Sequence, residues 1–352
     1  MQNIIIGKRS NLTFNLKQEI KINKIFSSND ILSDKFFNYL KSVKEPINII
    51  FNSFFPLFLM NNFNAKTFIE KSHLIPLVFI DNIKKGIKKN KKLKINKIIL
   101  SSSASIYLLD DNSDTISDRS YYAAIKELNE KTFSNFCKFN KIDLIIARIF
   151  NVYGGNDQFS IIAKLINSYK TKSKVYIKHK GSSVRDFINV KDVVLIYKKL
   201  LVTNITGKID VGSGNSYSLN ELIKFVGIKK LNIEYDKDYQ NLLNDVSIAN
   251  TALLKKLKIN LQYDILSFLE NELKINGNKI LNYYGRGRQN TILLSPPSIS
   301  SLEINSVQNA MQSNWIAPVG PDIKTLLSVF DSFSIIFLIL TIDALFPMSS
   351  KE

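Results

Sequence analysis

Short, continuous apolar runs punctuate the first 150 residues: "NIIIG" (3–7), "NKIFSS" (23–28), "INIIFNS" (47–53), "INKIILSSS" (95–103) and "IDLIIARIF" (142–150). Each has strand length, is rich in isoleucine and ends on small or polar residues. Between them lie stretches with helical spacing, such as "DKFFNYLKSV" and "YAAIKELNEKTFSNFCKF". Runs that are apolar on both faces, rather than alternating, predict strands covered on both sides. With helices as the crossovers, this is an α/β protein built on a doubly wound parallel sheet. Ligands in such sheets bind beyond the carboxyl ends of the strands. The chemistry-bearing motifs of this chain all sit at, or just past, such ends.

Composition narrows the function. The chain has 352 residues and is 45% hydrophobic, enough for two domains with a large core. Its net charge of +18 invites a nucleic-acid reading, yet only six of its basic residues are arginines. Arginine is the residue suited to bidentate contacts with phosphates and bases. The excess is lysine spread over solvated faces, and no nucleic-acid partner is expected. The densest run, "KKGIKKNKKLK" (84–94), is expected to be an exposed helix end. A single cysteine, Cys137, excludes an intrachain disulfide, and with only His73 and His179 no metal site is expected. The chain opens directly on a strand-like run without a signal-peptide pattern. The run "FSIIFLILTIDALF" (333–346) is short of a membrane span and contains Asp343. The expectation is a cytoplasmic protein with no membrane partner.

Three places carry chemistry. The first strand ends at Gly7 in "IIIGKRSNLTFNL", where a dinucleotide fold wants glycines so that backbone can approach a pyrophosphate at a helix N-terminus. One glycine stands there, with Ser10 and Thr13 as further small residues; an ordinary strand–turn–helix explains it equally well. The fourth strand ends in Ser101, Ser102 and Ser103. Nineteen residues after Ser103 comes Tyr122, and four residues later Lys126. Residues four apart share a helix face. A lysine ammonium near a tyrosine hydroxyl favours the phenolate and lowers its pKa, which makes the tyrosine a usable acid/base near neutrality. A serine hydroxyl beside them can hydrogen-bond a substrate oxygen.

The stretches "SSSASIY", "YAAIKELNE", "ARIFNVYGG", "VRDFINVKDVV", "GKIDVGSGNSYSLNELI" and "VSIANTALLKKL" occur in an order and at spacings that resemble the extended short-chain dehydrogenase/reductases, the NAD-dependent epimerase/dehydratase family acting on nucleotide sugars. The resemblance runs from about residue 2 to about residue 275. It implies a Rossmann-like sheet and a smaller C-terminal substrate-binding α/β subdomain. It also implies NAD or NADP as cofactor and a UDP- or dTDP-sugar as substrate. Residue by residue, it makes Ser103 the group that polarises the sugar oxygen and Tyr122 the general acid/base. Lys126 would hold the nicotinamide ribose. Gly7, Ser10, Asp30 and Ser53 would lie along the cofactor, and Asn151 and Arg185 would face the substrate diphosphate. It further implies a homodimer through two helices. Asp186 and Asp192 are expected as turn and capping residues, Tyr121 as packing, and Tyr107 and Tyr153 as either pocket lining or core.

The chain departs from the family pattern in four places. The glycine-rich turn is reduced to "GKRSNLT". The segment between "KIFSS" and "INIIFNS" is short, so a strand and helix of the usual sheet are missing or shrunken. The strand ending "KIFSS" lacks the acidic residue that would grip a ribose 2′-hydroxyl. No arginine lies between Arg185 and Arg286, which leaves Lys237 as a substitute for a second diphosphate contact. Members that dehydrate sugars carry an Asp-Glu pair just after the catalytic serine or threonine; here that place reads "ASIY". The expected activity is therefore a 4-epimerase, with a ketosugar reductase or a non-catalytic nucleotide-sugar binder as the alternatives.

From about residue 283 the pattern changes. "LSPPSISSLE" and "SNWIAPVGP" resemble the start of pyridoxal-phosphate-dependent sugar aminotransferases, and the residues C-terminal to these runs resemble nothing in that family. The expected organisation is a dinucleotide-binding domain over 1–150, a nucleotide-sugar-binding subdomain over 151–282 and an irregular, truncated aminotransferase-like tail over 283–352. The tail is read as the product of a junction with a neighbouring gene, which points to amino-sugar polysaccharide biosynthesis.

Overall fold

In the computed structural model, which describes residues 1–54, 64–108, 118–235 and 246–274, the apolar runs form a parallel sheet. In chain order the elements are β1 (Gln2–Ile6), α1 (Asn11–Glu19), β2 (Lys24–Phe26), α2 (Ser28–Leu32), α3 (Asp34–Ser42), β3 (Ile47–Phe51), α4 (Ala65–Lys89), β4 (Ile95–Ser103), α5 (Asp118–Asn140) and β5 (Asp143–Ile149). There follow β6 (Asn151–Tyr153), α6 (Ile161–Thr171), β7 (Lys174–Ile177), β8 (Val184–Asn189), α7 (Val190–Val202), β9 (Gly207–Val211), β10 (Ser216–Ser218), α8 (Leu219–Val226), β11 (Asn232–Tyr235), β12 (Val246–Ser247), α9 (Ala252–Lys256) and α10 (Ile265–Leu273). The five strands expected from the apolar runs are all present. The lysine run over 84–94 covers the end of α4 and the turn after it.

The main sheet has six strands in the order β2-β1-β3-β4-β5-β9, all paired in parallel. The sequence reverses direction across the sheet between β1 and β3, so the topological switch point lies at their carboxyl ends. Alternate residues of one strand serve opposite faces. Ile4 and Ile6 pack with Phe36, Leu40, Phe79, Ile83 and Phe133 under α3, α4 and α5. Ile5 packs with Leu12, Leu16, Val193, Tyr197 and Leu200 under α1 and α7. Two covered faces favour apolar side chains on both, which is why these strands are largely apolar without alternation. Between β2 and β3 the described chain forms only the short helices α2 and α3. This is the shrunken unit expected there, and no described strand lies beyond β2.

A second sheet orders β10-β8-β12, with β6 beside β8, and β7 pairs with β11. Its core gathers Tyr153, Phe187, Tyr217, Leu222, Phe225 and Leu269 against α6, α8 and α10. The two sheets are interleaved along the chain. After β8, α7 covers the first sheet and β9 joins its edge, so residue 150 is not a boundary between lobes. Lys97, buried in β4, donates to the carbonyls of Leu200 and Thr203 at the end of α7, where a helix favours a cation. Burial nonetheless lowers its pKa. The described residues all lie within the compact unit Met1–Gly287. The aminotransferase-like tail and Lys237 fall outside them, as does the side chain of His179.

Candidate active site

The site is built from the carboxyl ends of β1, β3 and β4 and from α5. At the end of β1, Gly7 has φ +117°, and a Cβ placed there would lie 2.4 Å from the Asn52 carbonyl oxygen. Backbone passes backbone so closely that only glycine fits. Gly7→Ala is expected to cost at least the roughly 1–3 kcal/mol of a strained backbone, read as a lowered urea midpoint. Ser10 caps α1 by accepting from the Thr13 amide at 3.0 Å. Asn52 bridges to the Ser10 hydroxyl at 2.6 Å and to Thr13 Oγ1 at 3.0 Å, and the Thr13 hydroxyl donates to the Gly7 carbonyl at 2.6 Å. Hydroxyls and an amide thus brace a turn that carries a single glycine. Ser53 lies next to it, 3.0 Å from the Ser28 hydroxyl.

Asp30 has a local task. It sits at the third position of α2 and accepts from the Ser27 hydroxyl at 2.6 Å and the Ser27 amide at 2.8 Å, forming a capping box. Those bonds, with Lys35 nearby, hold its carboxyl below the usual carboxylate range.

Serines 101, 102 and 103 point three ways. Ser101 meets the Tyr197 hydroxyl at 2.8 Å, and Ser102 donates to Glu130 Oε1 at 2.5 Å. Ser103 lies close enough to the Tyr122 hydroxyl to favour its phenolate, and it accepts from Ser105 Oγ at 2.9 Å. Of the three, only Ser103 couples to the tyrosine expected as acid/base. Burial raises the Tyr122 pKa, opposed by the nearby Ser103. The depression expected from Lys126 is not seen, because the Lys126 ammonium turns elsewhere. It donates to the Ser101 carbonyl at 3.0 Å and lies 4.0 Å from the centroid of the Phe54 ring, against 5.8 Å from that of Tyr122.

Burial pushes the Lys126 pKa down to about 7, against the opposing charge of Glu130. An unfolded chain would hold this proton more tightly. Between about pH 7 and the ordinary lysine value, the stability contributed by this group therefore rises with pH. Urea melts at a series of pH values should show that slope, and Lys126→Met should remove it.

A charged network missed at the sequence level lies behind Lys126. Arg148 on β5 grips Glu130 with both ends of its fork, Nε to Oε1 at 3.0 Å and Nη2 to Oε2 at 2.7 Å. Both side chains are buried. Burial works against the Arg148 charge, but the hydrogen bonds to Glu130 and Tyr107 outweigh it, and its pKa is raised. Tyr107 covers the guanidinium at 4.6 Å and donates to Asp210 at 2.6 Å. One signal could have found Glu130: residues 122, 126 and 130 lie four apart, on one line of α5.

Asn151 and Arg185 lie on adjacent strands of the second sheet. Asn151 pairs in register with Phe187, two residues beyond Arg185, so both belong to one face. Asn151 donates to the Asp186 carbonyl at 2.9 Å, and the buried Arg185 donates to the Val184 carbonyl at 2.9 Å. The two aspartates beside them are structural. Asp186 accepts from the amides of Ser213, Gly214 and Ala249 at 2.8, 2.7 and 3.2 Å. Asp192 accepts from those of Gln262 and Tyr263 at 2.9 and 3.1 Å. Burial raises the pKa of each. Tyr153 is core, fully buried 4.9 Å from the Phe268 ring, whereas Tyr107 is half exposed. Among the described residues, no cluster of His, Cys, Asp or Glu could hold a metal, and no helix is long and apolar enough to cross a membrane.

Known proteins resemble this chain in sequence and in fold. Residues 60–212 fit the model of the NAD dependent epimerase/dehydratase family. UDP-glucuronic acid decarboxylase 3 of Arabidopsis thaliana is 28% identical over 118 residues, 33% of this chain and 34% of that protein. The chain therefore spans about a third of the length of such curated relatives. The solved UDP-glucuronic acid 4-epimerase of Bacillus cereus, in complex with UDP-glucuronic acid and NAD, superposes with a TM-score of 0.63 at 17% identity, covering 81% of this chain and all of that one. The UDP-glucose 4-epimerase of Thermotoga maritima, with UDP-glucose, gives 0.63 at 17% identity over 78% and 98% of the two chains. At such identities the solved structures speak for the fold alone, and they agree with the six-stranded parallel sheet of this chain. The family match and the curated relatives extend the agreement to sequence: over residues 60–212 this chain resembles the NAD dependent epimerase/dehydratase family.

Proposed function

We propose that the protein is an NAD(P)-dependent nucleotide-sugar epimerase of the 4-epimerase type. The observation that carries the reading is the placing of Ser103 beside the Tyr122 hydroxyl, with Lys126 one helical turn away, at the carboxyl edge of the sheet. The residues around the switch point suit a dinucleotide. The closely packed Gly7 turn opens onto the N-terminus of α1, a place for a pyrophosphate, and Ser53 lies at the end of β3. Gly7, Ser10, Ser53 and Lys126 would hold it; Asp30, engaged in its capping box, would contribute through the shape of the α2 turn. When bound, a nicotinamide would take up and return a hydride at a sugar carbon. Ser103 would polarise the sugar oxygen, and Tyr122 would carry the hydroxyl proton. Arg185 and Asn151, on one face of the second sheet, would bind and orient the substrate diphosphate.

The same reading includes a homodimer through α4 and α5. Ile69, Leu74 and Leu77 on α4 and Leu128 on α5 are 39–45% exposed, an apolar set that a second copy would cover. Light scattering on the purified protein reads that state.

The test of function is proton NMR with UDP- and dTDP-sugars, with nicotinamide absorbance followed in parallel. A new sugar with no net loss of reduced cofactor supports an epimerase. Product that tracks cofactor loss one for one indicates a ketosugar reductase. One observation favours a non-catalytic binder: the Phe54 ring lies over Lys126. Absence of turnover with every sugar and cofactor would select it.

A further inference from the structure

Phe54, three residues past the end of β3, played no part in the expected site. Its ring centroid is 4.0 Å from Lys126 Nζ. It meets the Tyr122 ring edge-on at 5.1 Å and the buried Phe68 ring at 5.8 Å. An ammonium has three hydrogens and no acceptor capacity. One is spent on the Ser101 carbonyl at 3.0 Å, and the ring face stands over another side. The crevice between Phe54, Ser53 and Lys126 has about 10 Å³ of room, roughly that of a single water. A ligand hydroxyl needs an approach of about 2.9 Å to this nitrogen, and the crevice admits one such oxygen but not the carbon frame that carries it.

We propose that Phe54 is a resident aromatic cover on Lys126, a specificity-determining residue whose ring any hydroxyl-bearing ligand must displace to reach the ammonium. The ring face attracts the charge, yet its bulk keeps off the water that would hydrate it, and the Ser101 carbonyl is the hydrogen-bond acceptor described for this ammonium. The ring also separates Lys126 from solvent, and with its edge contact to Tyr122 it holds the site shut around the acid/base pair. If the ligand is the ribose of a nicotinamide dinucleotide, which rests on the proposed epimerase function, cofactor affinity is reduced by the fraction of time the ring stays in place.

The test uses the full chain and two readouts. NMR of the ¹⁵N-lysine-labelled protein, with a Lys126→Met control to assign the signal, follows the titration of Lys126. NADH fluorescence follows binding. Phe54→Ala should move the Lys126 titration up from about 7 toward the ordinary lysine range, because water replaces the ring. The same variant should tighten NADH binding about tenfold. Phe54→Leu keeps an apolar cover and should leave the titration low. If Phe54→Ala folds poorly, Phe54→Val trims the ring and carries the same test. A Lys126 titration unchanged in the trimmed variant overturns the proposal. A raised titration with no NADH binding by any variant leaves the aromatic cover standing and removes the dinucleotide reading instead.

Discussion

Tyr122→Phe is expected to lower turnover by about 10²–10⁴-fold, the usual worth of a positioned proton carrier, while nucleotide binding stays nearly unchanged. The phenol lies beside Ser103, and the proposed mechanism gives the pair one proton path to a substrate oxygen. The substitution removes that path and little else. The ring keeps its edge-on contact with Phe54 at 5.1 Å, and the lost hydroxyl costs about 1 kcal/mol of stability, the ordinary net worth of one hydrogen bond. The effect should therefore fall on kcat rather than KM. The NMR assay that reads epimerisation is the measurement, with nucleotide binding by calorimetry beside it. Activity retained within an order of magnitude would remove Tyr122 from the mechanism. Because burial keeps the Tyr122 pKa high, the resting hydroxyl is protonated at neutral pH. Lys126 would have to turn away from Phe54 and toward the phenol before it could favour the phenolate, which links this prediction to the aromatic cover.

Glu130→Ala is expected to produce the largest loss of stability, about 3–5 kcal/mol, the range for breaking a buried ion pair by removing one partner. Glu130 is 2% exposed and receives both arms of the Arg148 fork. Without it the guanidinium keeps its charge with no carboxylate opposite, and the Ser102 hydroxyl loses its acceptor. Set against a typical total of about 5–15 kcal/mol, that loss brings the protein near its unfolding threshold. The double variant Glu130→Leu with Arg148→Met should recover most of it, since an apolar replacement of a buried pair is often neutral or stabilising. Urea midpoints decide both. A single-variant loss below about 1 kcal/mol would place this pair with exposed salt bridges, whose worth is small. Glu130 also favours the charge on Lys126, so a folded Glu130→Gln protein should titrate Lys126 at lower pH than the parent.

The fold was largely legible because burial on two faces writes itself into a strand. Ile4, Ile5 and Ile6 had to be apolar in succession, and the helices between such runs had to be crossovers. The interleaving of the lobes was not legible. "VKDVVLIYKKLLV" and "GKIDV" read as a helix and a strand of the second half, and nothing local says that α7 and β9 return to the first sheet. Register and partner choice are decided by which faces remain uncovered, a property of the whole assembly.

In the site the division is sharper. The spacing of Ser103, Tyr122 and Lys126 was readable because a helix places residues four apart on one face and a strand delivers its last residue to the sheet edge. By itself the sequence determined an α/β sheet, its switch-point glycine and a candidate acid/base helix. It did not determine where the Lys126 ammonium points, since Ser101, Phe54 and Glu130 compete for that charge. Only the tertiary structure, bringing β3, β4 and α5 together, settles that contest. Asp30 shows the same limit. Its sequence position suited a cofactor contact, but its side chain is taken by Ser27 in a capping box. Hydrogen bonds and charges act over a few ångströms, so a side chain's partner depends on distances that appear only once the chain has packed.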